Sequence, residues 1–95
     1  YIITAKAKKD LDDLWYYIAE DNISAANKVE NDILEAFDLI ASNPFIGMQR
    51  SELIDMSVRF WIIHNYYIIY NPDTEPLQIL RIISSFRDIK TIAKL

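Results

Sequence analysis

The sequence predicts a small α+β fold in the order β-α-α-β-β-β, with an antiparallel helical hairpin packed on one face of a mostly antiparallel sheet. Residues 6–42 contain two stretches in which apolar side chains recur with the 3.6-residue period of a helix. Residues 58–83 are rich in Ile, Tyr, Trp, Phe and Val, which favour strands. A chain of 95 residues is long enough for one such domain, and we assign residues 1–95 to it.

The first strand and the first helix follow each other directly. Residues 1–4 are predicted to form a short strand, and Thr4 is a suitable N-cap for the helix that follows. The helix is predicted over residues 6–20, where the apolar positions are Leu11, Leu14, Trp15 and Ile18. This spacing places Trp15 in the core and leaves one of the two tyrosines that follow it partly exposed.

The second helix is predicted to begin at a Ser24 cap and to end at Asn43-Pro44, because proline lacks the N–H that a helix requires. Its apolar positions keep the same period, at Ala26, Val29, Ile33, Ala36, Phe37 and Ile40. Gly47 is the only glycine of the chain. Since it follows closely on a proline, we expect it to occupy a turn that needs a positive φ.

Three strands are predicted over residues 58–63, 66–70 and 77–83. The connections between them, residues 64–65 and 71–76, are too short for a parallel crossover, so the three strands form an antiparallel meander. Apolar residues occur on both faces of this meander. One face is expected to pack on the helices and the other to expose more apolar surface than a monomer needs.

The composition excludes several classes of site. The chain has no cysteine and one histidine, which rules out disulfides, thiol nucleophiles, cysteine-based metal sites and multi-histidine metal centres. We expect neither a metal nor a cofactor. No apolar run reaches the ~18 residues of a membrane helix and no signal peptide is evident, so we expect no membrane association and a cytoplasmic location. A net charge of −4 argues against direct nucleic-acid binding.

Two polar features of the sequence have plain structural interpretations. Asp10, Asp12 and Asp13 are predicted to form a solvated face of the first helix, where they point in different directions and do not form an acid–base pair. His64 is predicted to be a solvent-facing turn residue, although its proton chemistry leaves a role in a site open.

Arg59 and Arg81 lie within otherwise apolar predicted strands. An arginine in such a position is either paired or exposed, since burial of an unpaired guanidinium is unfavourable. Arg81 is therefore expected either to pair with an acidic residue of a neighbouring strand or to form a basic edge for an anionic surface. The aromatic residues that the helix and the sheet leave exposed are expected to contact a protein partner rather than nucleic-acid bases.

Several motifs in this order resemble the ParE branch of the RelE/ParE toxin superfamily. Residues 7–15 are similar to A-x-x-D-L-x-x-I followed by aromatic residues, and residues 43–53 to N-P-x-x-G-x-x-R-x-E-L. Residues 66–70 are similar to Y-x-I-x-Y, and residues 79–88 to I-x-R-V-x-H-x-x-R-D. The resemblance covers nearly the whole chain and supports the RelE/ParE-like fold predicted above.

The resemblance implies a bacterial toxin of a type II toxin–antitoxin pair that is neutralised by a ParD-like antitoxin. ParE toxins inhibit DNA gyrase, which needs no catalytic residue, and we expect the same here. The candidate target contacts are Arg59, Arg81, Arg87 and Ser84, the last at a position where many family members have histidine. The candidate antitoxin contacts are Trp15, Phe60, Trp61 and Tyr67.

Two alternatives remain open at this stage. One is a RelE-type messenger-RNA endonuclease that uses Arg81 and Arg87. Tyr67 stands where those enzymes usually have arginine, residues 49–58 contain no lysine and residues 87–95 contain no tyrosine or histidine, which disfavours this activity. The other is a module that binds its antitoxin and inhibits nothing.

Overall fold

The computed structural model describes residues 1–49 and 57–84. Within them the chain forms an α+β structure in which two helices pack on a four-stranded sheet, as the sequence predicts. The elements are β1 (Ile2–Ile3), α1 (Ala5–Ala19), α2 (Ile23–Ser42), β2 (Arg59–Ile63), β3 (Tyr66–Asn71) and β4 (Gln78–Ser84). No helix in these ranges is long and apolar enough to cross a membrane.

The strands lie side by side in the order β1-β4-β3-β2. The β2–β3 and β3–β4 pairs are antiparallel, which confirms the predicted meander, and β1 adds a short parallel pair to β4. β1 contributes only Ile2 and Ile3, which pair with Gln78 and Ile79. Beyond Ile79, no strand of residues 1–49 and 57–84 covers the outer edge of β4.

Thr4 caps α1, as predicted, because its hydroxyl accepts a hydrogen bond from the Ala7 N–H at 3.2 Å. The prediction that Trp15 belongs to the core is wrong. The buried side chains of α1 are Ala7, Leu11 and Leu14. Trp15 is about 100° of helix rotation away from Leu14, and its indole N–H donates to Asn27 Oδ1 on α2 at 3.0 Å.

The cap of α2 is Asn22 rather than the predicted Ser24. Asn22 has extended backbone geometry, and its Oδ1 accepts from the Ala25 N–H at 3.0 Å. Asparagine and serine are comparable caps, so the residue preference alone does not choose between them. At its other end α2 stops at Ser42, just before Asn43-Pro44, as predicted.

Both faces of the sheet are apolar, as predicted, and one of them packs on the helices. The helix-facing side forms the larger core with the helices, through side chains such as Ile68, Tyr70 and Ile79. The opposite face was predicted to expose apolar side chains. At the centre of that face this prediction is wrong. There Val58, Phe60, Ile69 and Ile83 form a second cluster in which each side chain is buried.

Candidate functional site

The Arg81 guanidinium, a candidate target contact, is held by the Asp10 carboxylate. Arg81 Nε lies 2.7 Å from Asp10 Oδ2, and Arg81 Nη2 lies 3.0 Å from Asp10 Oδ1, so the two side chains form a bidentate pair. The side chains are only 17% and 12% exposed. The hydrogen bonds to Asp10 raise the pKa of Arg81 above its ordinary value. The sequence favoured a partner on a neighbouring strand, whereas the partner lies on α1, 71 positions away.

The same carboxylate also closes the uncovered edge of β4. Asp10 Oδ2 accepts from the Ile82 N–H at 3.0 Å, and the Thr4 hydroxyl donates to the Leu80 carbonyl at 3.1 Å. An unpaired strand edge presents free backbone groups that attract other strands. Asp10 of α1 and its cap residue Thr4 thus replace, with side chains, hydrogen bonds that a longer β1 would have made.

The expectation that all three aspartates of α1 are solvated is therefore wrong for Asp10. Asp12 and Asp13 are exposed and pair with Lys8 and Lys9 one helical turn earlier. Asp10 differs because it lies three residues after Ala7 and four before Leu14, on the same side of the helix as the buried stripe. That spacing was the signal in the sequence that could have identified it.

A cleft of about 790 Å³ opens beside the Asp10–Arg81 pair. Its walls come from α1, the β2–β3 turn and the end of β4, and include Lys9, Asp13, Tyr17, Asn65, Tyr66 and Ser84. Ser84, the second candidate target contact, is therefore at this cleft. Among the described residues of the cleft, the charged side chains Lys9, Asp13, Asp10 and Arg81 form two ion pairs and leave no excess charge.

Arg59, the third candidate target contact, binds the segment that follows α2. Its Nη1 donates to the carbonyl oxygens of Gly47 at 2.8 Å and Phe45 at 3.2 Å, and the guanidinium lies 5.1 Å from the centre of the Phe45 ring. Its Nε is buried without a hydrogen-bond partner. Within residues 1–49 and 57–84 no carboxylate pairs with Arg59, in contrast to Arg81.

Tyr70 fixes the same segment from inside the core. Its buried hydroxyl donates to the Pro44 carbonyl at 2.7 Å and accepts from the Gly47 N–H at 2.9 Å. Burial raises the pKa of the Tyr70 phenol, although the Gly47 N–H and Arg59 act in the opposite direction. The phenol therefore stays protonated and keeps its donor at neutral pH.

The predicted reason for Gly47 is wrong, since its φ is not positive. A Cβ at this position would lie 2.6 Å from Tyr70 Oη and 2.9 Å from the Phe60 carbonyl oxygen. Glycine is therefore required by close approach rather than by a turn conformation. The sequence shows that residue 47 is a glycine. It does not show that the Tyr70 hydroxyl lies where a side chain of residue 47 would be.

The four candidate antitoxin contacts do not share one surface. Phe60 and Tyr67 lie on the sheet face opposite the helices, where their rings meet edge to face at 5.8 Å and Phe60 is fully buried. Trp61 lies on the helix-facing side and packs against the larger core. Trp15 lies on α1, and its indole N–H donates to Asn27 of α2. Phe60 is therefore not accessible to a partner in this structure. An antitoxin contact by the other three residues stays a prediction.

His64 is not simply a solvent-facing turn residue. It has a φ of 52°, and its Nε2 lies 2.8 Å from Asp32 Oδ2 on α2. Lys28 contacts the same carboxylate oxygen at 3.2 Å. Hydrogen bonds from His64 and then Lys28 hold the pKa of Asp32 below its ordinary value. His64 thus joins the β2–β3 turn to α2.

Two further points concern the sequence-based candidates. Arg87, the fourth candidate target contact, lies outside the described residues. Among the residues that the structure does describe, no three Asp, Glu or His side chains come together as a possible metal site. Of the candidate target contacts in the described residues, Arg59 and Arg81 lie on different strands, and each makes an identifiable structural contact.

Comparison with known proteins defines the family. Residues 1–89 match the family described as the ParE toxin of the type II toxin–antitoxin system parDE. This chain belongs to the ParE toxin family. A solved structure of the chromosomal ParDE TA system from P. aeruginosa is 24% identical, with a TM-score of 0.69 and coverage of 86% of this chain and 90% of that chain. At this identity the likeness establishes a common fold. No curated protein matches.

Proposed function

We propose that this ParE-family chain inhibits DNA gyrase in the cytoplasm without catalysing a reaction, and that a cognate ParD-like antitoxin neutralises it. The family membership supports a toxin of a toxin–antitoxin pair. The observation that favours a non-enzymatic mechanism is the bidentate pair between Arg81 and Asp10. It removes from Arg81 the free positive charge that the alternative, messenger-RNA cleavage, would require.

Phosphodiester cleavage needs a cation beside the phosphate and a group that transfers a proton. In the described residues, Arg59 is bound to two backbone carbonyls and His64 to Asp32. The described charged residues of the cleft beside Arg81 are all paired. This distribution supports inhibition by binding over catalysis.

The candidate target contacts divide into two groups under this proposal. Arg81 acts mainly by holding β4 in place, whereas Arg59 holds the segment after α2 and keeps a charge that no carboxylate of the described residues neutralises. Ser84, at the cleft, and Arg87, three positions further along the chain, are proposed to contact gyrase directly. The gyrase surface would then meet the cleft end of the molecule, where β4 ends.

The proposal is tested with the purified full-length chain and purified gyrase. DNA supercoiling and accumulation of cleaved DNA are measured, and messenger-RNA integrity is followed in cells that express the chain without antitoxin. We expect loss of supercoiling, DNA breaks and intact messages. Cleaved messages without DNA breaks would show the endonuclease alternative to be correct, and normal growth with stable antitoxin binding would leave only a binding module.

Arg87→Ala is the informative variant, and Lys6→Ala is its matched control because Lys6 is exposed and the same charge is lost. We expect Arg87→Ala to reduce gyrase inhibition by about tenfold, the loss typical of one interface arginine. Lys6→Ala should leave inhibition within about twofold of the original chain. Equal inhibition by both variants would remove Arg87 from the proposed contact.

A further inference from the structure

The cleft beside the Asp10–Arg81 pair lies where β4 ends. Ser84, the last residue of β4, is part of its wall. Its other lining side chains include four with large apolar or aromatic groups, Leu14, Tyr17, Tyr66 and Ile82. Tyr17 is 76% exposed. An exposed aromatic side chain beside a cleft of about 790 Å³ offers a large contact area to whatever enters it.

Tyr17 and Tyr66, which we call the tyrosine pair, reach this cleft from different elements. Tyr17 lies near the end of α1, and Tyr66 is the first residue of β3. Burial, and then the nearby Tyr17 phenol, raise the pKa of Tyr66, so the two phenols lie near each other. The turn before Tyr66 is joined to α2 by His64. The tyrosine pair therefore forms an aromatic wall on a fixed backbone.

α1 continues past the end of β4. Its cap residue Thr4 bonds to the Leu80 carbonyl and Asp10 bonds to the Ile82 N–H, so the helix advances in the direction of the strand. From Asp10 to Tyr17 the helix rises ~10 Å. An extended chain starting at Ile82 covers ~10 Å in three residues. Tyr17 is therefore level with residues 85–86 of a chain that continues in the direction of β4.

Residues 85–95, which we call the following segment, lie outside the described residues, but their sequence is informative. Apolar side chains recur every three positions, at Phe86, Ile89, Ile92 and Leu95. Three cations, Arg87, Lys90 and Lys94, stand against one acid, Asp88, which gives a net charge of +2. The following segment thus combines apolar side chains that burial would stabilise with basic side chains that suit an acidic neighbour.

The end of α1 is such an acidic neighbour. Glu20 caps the helix, Asp21 follows it, and the last turn contains no basic residue. No cation of the described residues forms an ion pair with either carboxylate. The carboxyl end of a helix carries a partial negative charge, and acidic side chains there add to it. This end of α1 is therefore stabilised by a cationic segment that lies beside it.

We propose that the following segment occupies the cleft, with the Phe86 ring against the tyrosine pair and the basic side chains beside the acidic end of α1. Phe86 is two residues from Ser84 of the cleft wall. A ligand on so short a tether has an effective concentration on the order of millimolar, which favours it over a separate partner. This inference goes beyond the proposed function and does not depend on it.

The first test uses nuclear magnetic resonance of the purified, isotopically labelled chain of residues 1–95. We expect nuclear Overhauser effects between the ring protons of Phe86 and those of the tyrosine pair. Tyr16 is the matched control, because it is adjacent to Tyr17 and 68% exposed but meets Trp15 and does not line the cleft. Its ring should show no such effect with Phe86.

The second test measures protection of an introduced thiol, since the chain has no cysteine of its own. Asp13 lines the cleft, whereas Asp12 is its exposed neighbour outside it, and each pairs with a lysine one turn earlier. If the following segment is docked about 90% of the time, it slows labelling of the Asp13→Cys variant about tenfold. Adding Phe86→Ala should restore that rate, and should change labelling of the Asp12→Cys variant by less than about twofold.

Each result has a distinct meaning. Missing contacts between Phe86 and the tyrosine pair, with labelling rates that Phe86→Ala leaves unchanged, would overturn the inference. Contacts found only between differently labelled copies in a mixed sample would identify a second copy as the occupant and also overturn it. Contacts that form only after antitoxin or gyrase is added would overturn it in favour of that partner. A chain that shows the contacts without inhibiting gyrase would support the inference and contradict the proposed function.

Discussion

The two edges of the sheet each carry an arginine, and the structure uses the two in different ways. At the β4 edge, Arg81 pairs with Asp10 and the backbone is closed by α1. At the β2 edge, Arg59 binds backbone carbonyls, and apolar side chains remain exposed beside it. The same residue type thus binds a carboxylate at one edge of the sheet and backbone carbonyls at the other. What lies opposite each strand decides the outcome.

The comparison matters for function because both arginines were candidate target contacts. An arginine whose charge is neutralised inside the fold contributes to stability, whereas one without a carboxylate is available to a partner. Substitutions should therefore separate the two edges, with effects on stability at β4 and on binding at β2. The predictions below test that separation.

The largest effect on stability is expected for Asp10→Ala. It leaves the mostly buried Arg81 guanidinium without its partner and the Ile82 N–H without its acceptor, at a cost of about 3–5 kcal/mol in the free energy of unfolding. Urea denaturation measures this cost. The control is Asp12→Ala, which removes an exposed pair with Lys8 and should leave the free energy of unfolding nearly unchanged.

The double variant Asp10→Leu with Arg81→Met sharpens this result. Apolar side chains of similar size often replace a buried ion pair with little loss, so we expect the double variant to be more stable than Asp10→Ala alone. A double variant as unstable as the single one would mean that the Ile82 hydrogen bond, rather than the charge, dominates at this edge.

Tyr70→Phe should have the next largest effect. It leaves the Pro44 carbonyl and the Gly47 N–H without the hydroxyl that joins them, at a cost of about 1–3 kcal/mol. Tyr16→Phe, at an exposed tyrosine, is the control and should leave stability unchanged. Thermal unfolding of both variants measures the difference.

Arg59→Gln is expected to cost less stability than Asp10→Ala, about 1 kcal/mol, because its lost contacts are partly exposed and its partners are neutral carbonyls. Its effect on partner binding, measured with the antitoxin and with gyrase, should be the larger one. Urea denaturation of both variants under the same conditions compares the edges directly. If Arg59→Gln proved as destabilising as Asp10→Ala, the two arginines would both be structural.

The smallest effect concerns the link between the β2–β3 turn and α2. The pKa of Asp32 is lowered in the folded chain, so the unfolded chain binds the proton more readily. The ionised Asp32 therefore stabilises the fold above pH 3.8, the ordinary pKa of its carboxyl group. This stabilisation is lost as the pH falls further and the carboxylate is protonated. His64→Asn should reduce this acid sensitivity, measured as the stability difference between pH 5 and pH 3 (about the range spanned by a carboxyl titration). An unchanged difference would contradict the role of His64.

The sequence by itself was sufficient for the architecture. Apolar spacing identified both helices, and β-branched and aromatic runs with short connections identified the antiparallel meander, because these signals are local in the chain. The Thr4 cap and the end of α2 before Asn43-Pro44 were predicted for the same reason. The order and spacing of the family motifs also identified the family from the sequence. The family match over residues 1–89 agrees with that identification.

Only the tertiary structure decided what the individual side chains do. The pairing of Asp10 with Arg81, the contact of Tyr70 with Gly47 and the link between His64 and Asp32 join residues that are 71, 23 and 32 positions apart. Periodicity assigns a residue to a face of its own element and carries no information on which element lies opposite. Whether an arginine is neutralised inside the fold or left for a partner depends on that opposite element, and therefore on the packing of the whole chain.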